Sequence, residues 1–395
     1  MSDAVLVLNA GSSSIKFGLF DITPTEPALK CKGLLDEHEK APRIIVTDAS
    51  GKEVFEKRPG GEGASNDLLT DIFAWIENHL AGVRLAAVGH RIVHGGSEFS
   101  GAVVITDQTL AALEALIPLA PLHQPRCLAS VRRMRTLRPE LTQIACFDTA
   151  FHHGLMRPAS RFAIPRLLEE RGIRRYGFHG LSFEYVASQL AALSPEWTQK
   201  RTVVAHLGNG ASLCALHQGK SVDTTMGLTP LDGLVMGTRC GAIDPGVLLY
   251  LMQEEKMSAD EVQHLLYEKS GLLGVSGVSA DMRALLASRE IAAREAIELF
   301  AFRASAAIAA MANTLGGLDA LVFTGGIGEH AVEIRQQICD HLAWLGVRLD
   351  AAANAQGRQS ITAAHSKVNG LVIATSEETT IARQSRALLN AGTSI

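Results

Sequence analysis

Two short segments, half a chain apart, share one design, and that design narrows the possible folds more than any other feature. The first is Val5-Leu6-Val7-Leu8, then the small polar run Asn9-Ala10-Gly11-Ser12-Ser13-Ser14, then Ile15-Lys16-Phe17-Gly18-Leu19-Phe20. The second is Thr202-Val203-Val204-Ala205, then His206-Leu207-Gly208-Asn209-Gly210-Ala211-Ser212, then Leu213-Cys214-Ala215-Leu216. An apolar run, a donor-rich Gly/Ser loop and a second apolar run predict a β-hairpin. One such unit alone reads as an ordinary hairpin. Two with matching loops predict two related domains that share a ligand.

Helical periodicity fills the spaces between. Residues 65–80 place Leu68, Leu69, Ile72, Phe73 and Ile76 at helical spacing, with Ser65 or Asn66 as the cap. Further helices are expected over 110–116, ended by Pro118, and over 184–193, 259–267 and 294–315. The last is long and Ala-rich, as a buried central helix would be. Leu321-Val322-Phe323 then feeds the Gly-rich turn Thr324-Gly325-Gly326-Ile327-Gly328-Glu329-His330, with a helix from Ala331. That order is the format of an anion or nucleotide site, which is the expectation here. Leu371-Val372-Ile373 followed by Ser376-Glu377-Glu378 repeats the strand-to-helix format. Strands alternating with helices predict α/β layers. At 395 residues two or three domains are expected, and no Pro-rich linker separates the halves. The boundary is expected between 150 and 200.

Composition removes several classes of function. Aromatic residues are only 5%, too few for stacking platforms on single-stranded nucleic acid. A net charge of -4, from 37 basic and 41 acidic residues, gives no global polyanion-binding surface, so any anion site is local. The longest apolar stretch, Ala304 to Met311, is far short of the roughly 20 residues a membrane span needs. The six scattered cysteines lack zinc or redox spacing and, with no secretory leader in evidence, predict reduced thiols in a cytoplasmic protein.

There is no Walker A pattern and no dinucleotide fingerprint. Phosphate binding therefore falls to the hairpin loops, where Gly11 to Ser14 and Gly208-Asn209-Gly210 bring backbone N–H groups close, with Lys16 just beyond the first loop. Arg91, Arg239 and His179 each lie among glycines and apolar neighbours, and a charge so placed needs a partner. An ion pair to Asp148 or Asp244 is one reading for either arginine. Two arginines, a histidine and an aspartate together favour an anionic transition state. Asn9 and Glu377 each follow an apolar strand and offer the hard oxygens that Mg²⁺ takes sparingly beside phosphate.

These residues resemble a known family. Val7 to Lys16 and His206 to Ser212 are similar to the two signatures of the acetokinase family, the acetate kinases. The similarity runs on through Gly89-His90-Arg91, Pro121-Leu122-His123, Phe147 to His152, Arg175 to Gly180, Asp223 to Gly227, Gly237-Thr238-Arg239, Asp281-Met282-Arg283 and Phe323 to Glu329. The resemblance implies two actin-like, ribonuclease-H-like ATPase domains around a nucleotide cleft, usually in a homodimer. The first would be 1–150, completed by a C-terminal helix 380–395, and the second 151–379. It implies reversible phosphoryl transfer between ATP and acetate, giving acetyl phosphate and ADP. On matching positions, Asn9 and Glu377 would hold magnesium. Ser14, Lys16, His206, Leu207, Gly208, Asn209 and Gly210 would serve the phosphates. Asp281, Met282, Arg283 and the loop Gly325, Gly326, Ile327, Gly328, Glu329, His330 would serve the nucleoside. Arg91 would bind the substrate carboxylate, with Val93, Leu122, Phe178 and Pro230 around its methyl group. Asp148 is the family's catalytic carboxylate, and His179 and Arg239 would stabilise the transition state. Three places depart from the family pattern. Cys240-Gly241-Ala242 stands for Ser-Gly-Asp, Leu181-Ser182-Phe183 for Thr-Ser-His, and His330 for Asn.

A carboxylate with a pKa near about 4.3 is already a nucleophile at neutral pH, so the protein's task is neutralisation and alignment. Direct in-line transfer is expected, with Asp148 orienting Arg91 or the metal; a covalent aspartyl-phosphate is the other route. The substrate alternatives are propionate or butyrate. A sugar kinase or a nucleotide-switched ATPase fits the apolar pocket and its two arginines less well.

Overall fold

The computed structural model describes residues 2–11, 14–36, 43–57, 68–79 and 83–392. The proposed caps Ser65 and Asn66, loop residues Ser12 and Ser13, and the Ser14 side chain lie outside that description. The chain divides into two compact units, one made of 1–150 with 376–395 and one of 151–375.

The N-terminal unit holds an eight-stranded sheet. Its strands are β1 (Ser2–Ala10), β2 (Ser14–Asp21), β3 (Ala28–Asp36), β4 (Arg43–Asp48), β5 (Glu53–Lys57), β6 (Val83–Ile92), β7 (Val103–Val104) and β8 (Thr142–Phe147). Their order is β5-β4-β3-β2-β1-β6-β8-β7. β1 and β2 form the first anticipated hairpin, with Asn9 opposite Lys16, while β6 runs parallel to β1 and β8 parallel to β6. β1 is buried from Ala4 to Ala10, as a strand covered on both faces must be. On one face Leu6, Leu8 and Phe17 meet Ile72, Phe73, Ile76 and Met134 of the helices Leu68–His79 and Gln124–Leu137. The helix Glu377–Gly392 packs against β1 and β6. Its close approach dictates Gly89, since a Cβ there would lie 2.6 Å from Ile381 and 2.7 Å from Ser385 Oγ. This helix begins at Glu377, where the sequence reading began it at 380.

The second unit continues with β9 (Thr202–Leu207), β10 (Ala211–His217), β11 (Lys220–Thr224), β12 (Ala320–Thr324) and β13 (Asn369–Val372), in the order β11-β10-β9-β12-β13. β9 and β10 are the second anticipated hairpin. Three antiparallel strands followed by two parallel ones reproduce the β3-β2-β1-β6-β8 segment of the first sheet. The two related halves are thus written into the topology, in the ribonuclease-H-like, actin-like order. Phe183, Val186 and Leu190 of the helix Gly180–Leu193 bury against Val204, Cys214 and Val322. The long helix Ile291–Leu315 lies on β9, β10 and β11, and its alanines allow that approach.

One expectation is corrected. Gly325–His330 is not a turn but a six-residue helix, followed by a second helix Val332–His341. Three glycines disfavour that helix intrinsically. Arg335 offsets this: buried to 1% exposure, it donates from Nη1 to the carbonyls of Gly328 (2.9 Å) and Glu329 (2.8 Å), and from Nε to Asn354 Oδ1 (2.7 Å).

Two histidines are buried in neutral form. Burial pulls His90, on β6, and His152 down to about 4, against hydrogen bonds from Gln143 and to Phe178 that act the other way. Each binds a proton in the unfolded chain below about pH 6.5 but not in the fold. Their contribution is therefore present above pH 6.5 and lost as pH falls toward 4. Urea unfolding from pH 7.5 to 4.5 should give a declining free energy, with a slope of up to about 1.4 kcal/mol per pH unit per histidine. His152→Gln should flatten that decline for its unit; an unchanged slope would remove His152 as a cause.

Candidate active site

Arg91, the penultimate residue of β6, and Asp148, directly after β8, are brought together because their strands are parallel neighbours. Arg91 donates from Nη2 to Asp148 Oδ2 at 2.6 Å and from Nε to Asp148 Oδ1 at 3.0 Å, a bidentate pair. Asp148 is 1% exposed. Burial acts to strip charge from Arg91, but Asp148 and Glu377 outweigh it and hold the guanidinium above its ordinary pKa. Of the open choices for a partner, Arg91 takes Asp148. Asp244 instead caps the helix Pro245–Gln253 by accepting from Gly246 N. Arg91 Nη1 reaches Ala10 O at 3.5 Å.

Beside this pair, Asn9 at the end of β1 donates from Nδ2 to Glu377 Oε2 (2.9 Å) and to Glu378 Oε1 (2.8 Å). Arg91 Nε lies 3.9 Å from Glu377 Oε2. Glu378 was not among the candidates, although it stands next to Glu377 in the quoted motif. Two carboxylates and an amide oxygen are hard donors of the type Mg²⁺ accepts, and among the described residues no group of three or more His, Cys, Asp or Glu forms a cage. An ion that keeps few protein ligands and takes the rest from phosphate and water fits this set. Lys16 projects from β2 and is exposed, and Val93 is buried while Leu122 is half open to solvent.

The second unit carries the other candidates. His179 precedes the helix Gly180–Leu193 and holds φ at 57°, a left-handed conformation uncommon for a residue with a Cβ. Its ring stacks on His206, with centroids 4.3 Å apart. A hydrogen bond of 2.8 Å joins His179 Nδ1 to Ser212 Oγ. A methyl group at Gly210 would lie 3.2 Å from His179 Nε2 and 3.9 Å from Arg239 Nη1, so the three converge. Arg239 Nη1 also donates to Pro230 O at 3.3 Å. Its loop is pinned through the backbone: Gly237 N donates to Asn209 O (3.0 Å) and Ser270 N to Thr238 O (3.0 Å). Phe178 and Pro230 are buried nearby in sequence and space.

A cavity of about 640 Å³ opens beside this group. Gly208, Asn209, Asp281, Met282, Arg283, Gly326, Ile327 and His330 line it. The volume suits a nucleotide-sized ligand. Ala280, Leu286 and Glu333 also line it and were not anticipated. Asp281 caps the helix Met282–Ala287 and pairs with Arg283 Nη2 at 2.6 Å, which keeps its carboxyl below the ordinary range. Gly325 and Gly328 are buried, and Glu329 turns inward to accept from Gly325 N (2.9 Å) and Thr375 N (3.1 Å). Gly325 needs to be glycine: its φ is +76° and a Cβ would sit 2.8 Å from Leu207 O.

Comparison with known proteins identifies the family. The model of the acetokinase family matches residues 4–383. The chain belongs to the acetokinase family. An acetate kinase of Rhodopseudomonas palustris is 51% identical over 99% of this chain and 100% of its own, and one from Rhizobium meliloti is 43% identical over 98% and 99%. Among solved structures, a propionate kinase from Francisella tularensis superposes with a TM-score of 0.89 at 40% identity, over 97% of this chain and 99% of its own. The acetate kinase of Porphyromonas gingivalis gives 0.85 at 36% identity, over 98% and 100%. Acetokinase family membership makes the chain a kinase with a carboxylate acceptor and fixes its two-domain actin-like fold.

Proposed function

We propose that this chain catalyses reversible, Mg²⁺-dependent phosphoryl transfer between ATP and acetate, giving acetyl phosphate and ADP by direct in-line displacement. The observation that carries the reading is the bidentate Arg91–Asp148 pair. It spends the Nε and Nη2 side of the guanidinium internally, while among the described residues Nη1 meets Ala10 O at 3.5 Å. Nη1 is the group that takes the acetate carboxylate, with Val93 and Leu122 serving the methyl group; Phe178 and Pro230 are carried over to the same role by family membership. Asp148 orients Arg91 rather than abstracting a proton, since acetate is ionised at neutral pH.

Mg²⁺, held by Asn9 and Glu377 with Glu378 beside them, would supply charge neutralisation at the phosphate oxygens. The protein's own groups do the rest. Backbone N–H groups of Gly208 to Gly210, with His206, hold phosphate oxygens, Lys16 and Ser14 contribute charge and hydrogen bonding from the first hairpin, and the Asp281–Arg283 segment with Gly326, Ile327 and His330 seats the nucleoside. His179 Nε2 and Arg239 donate to the transferring phosphoryl, where charge builds in the transition state.

The second reading, propionate as the preferred acid, is favoured by the Francisella propionate kinase. One methylene is worth only about 1–3 kcal/mol in such a pocket. Incubating the protein with ATP and acetate, propionate or butyrate, with and without Mg²⁺, and trapping acyl phosphate with hydroxylamine, decides both. Acyl hydroxamate should form only with Mg²⁺, fastest from acetate. None from any of the three acids would end this reading.

The same proposal places the enzyme in the cytoplasm, in keeping with six cysteines that are all free thiols. Among the described residues no helix is long and apolar enough to cross a membrane. It also takes the enzyme as a homodimer, on the strength of the helix Pro245–Gln253. None of its residues is buried, and Val247, Leu249, Tyr250 and Met252 all stand exposed. Sedimentation velocity should give twice the chain mass, and Leu249→Glu with Tyr250→Glu should give the monomer. A wild-type monomer at micromolar concentration would contradict the assignment.

A further inference from the structure

We infer that two buried serines, Ser212 and Ser182, are positioning residues that set the tautomers of a stacked histidine pair. This rests on the reading of His179 and His206 as phosphate-facing groups. Ser212 stands directly opposite His206 in the β9–β10 ladder, so both side chains leave the sheet on one face. The start of the helix Gly180–Leu193 meets that face and brings His179 and Ser182 to it. The bonding then crosses over. Ser212 Oγ bonds His179 Nδ1 at 2.8 Å, and Ser182 Oγ bonds His206 Nδ1 at 2.8 Å. Both serines are fully buried.

Holding each ring by Nδ1 sends both Nε2 edges toward the Gly208–Gly210 loop. A methyl at Gly210 would lie 3.2 Å from His179 Nε2, and one at Gly208 3.8 Å from His206 Nε2. A phosphate oxygen can only accept, so the edge that meets it must carry the proton, and Nδ1 must then accept. Ser212 therefore donates to His179. Ser182 donates to His206 while accepting from Thr375 Oγ1, 2.7 Å away. Thr375 N–H in turn donates to Glu329, whose carboxylate also holds Gly325 N. A hydrogen-bonded chain thus runs from the short glycine helix to His206, and through ring stacking to His179. The strained φ of His179 is the local sign that its ring position is imposed by its surroundings.

The test pairs spectroscopy with a kinetic cycle. In ¹⁵N-histidine spectra at pH 8, His179 and His206, assigned by substitution, should show the Nε2–H tautomer. Ser212→Ala should lower kcat by about 10- to 100-fold, the usual cost of losing a group that orients a functional histidine, with KM for ATP and acetate within twofold. Ser212→Thr should restore most of the rate. In a His179→Ala background, Ser212→Ala should cost nothing further. The Nδ1–H tautomer in the wild type, or an equal loss in both backgrounds, would overturn the inference. Full activity of His179→Ala alone would instead remove His179 from the transfer, leaving the tautomer spectra to decide what Ser212 does.

Discussion

Asp148→Asn should cripple the enzyme and loosen its first unit together. The change keeps size and shape but leaves the Arg91 guanidinium, 14% exposed, without its bidentate carboxylate partner. Removing one member of such a pair costs about 3–5 kcal/mol, which for a unit of this size lowers Tm by about 10 °C. Catalytic loss should exceed what the remaining folded fraction explains, with kcat/KM for acetate down by about 10³-fold as carboxylate alignment is lost. The double variant Arg91→Met, Asp148→Leu separates the two effects. Removing both charges should recover most of the melting temperature and none of the activity. Recovery of activity would show that the pair serves stability alone; a single variant with unchanged acetate kinetics would take Asp148 out of the orienting role.

Arg239→Ala should act on kcat. The side chain comes off a loop whose shape is set by main-chain bonds, Gly237 to Asn209 and Ser270 to Thr238, so truncation leaves the loop in place. Its neighbours are Gly210 and His179, and in the proposed mechanism the guanidinium meets the charge that builds during transfer. The expected loss is about 10²–10³-fold in kcat, with ATP and acetate KM within a few-fold and Tm nearly unmoved. Arg239→Lys should recover only part, because a point charge does not reproduce the planar fork. A loss confined to ATP affinity would assign Arg239 to the nucleotide instead.

The hairpins at β1–β2 and β9–β10 were legible because strands covered on both faces must be continuously apolar, and because their polar loops break that run abruptly. The outer strands β3, β4 and β5 were not legible. β5 is largely exposed and β3 mixes lysines with apolar residues, so neither carries the pattern of a buried strand. The helix at Gly325–His330 was hidden for another reason: glycine argues against it locally, and the group that sustains it, Arg335, arrives later in the chain. Arg91, Asp148, His179 and Arg239 stood out as charged or ionisable groups amid glycines and apolar neighbours. The sequence left Asp148 and Asp244 equal as partners, since only the parallel pairing of β6 with β8 sets Asp148 beside Arg91. Ser182 and Ser212 stood inside quoted motifs without pointing to a role of their own, and Thr375 gave no signal. A hydroxyl inside an apolar run looks the same in sequence whether it bonds its own backbone or the imidazole of another element.

The segment 376–395 belongs to the unit made by residues 1–150. On the ribosome, the unit 151–375 is therefore completed before its predecessor, reversing the usual front-to-back order of maturation. Until the final helix emerges, β1 and β6 lack one of their covers, and Asn9 lacks the two glutamates it gathers. A nascent chain stalled before Ser376 would hold the nucleotide-sized cavity and the paired imidazoles but no acidic pair beside Arg91, so the nascent enzyme acquires that part last.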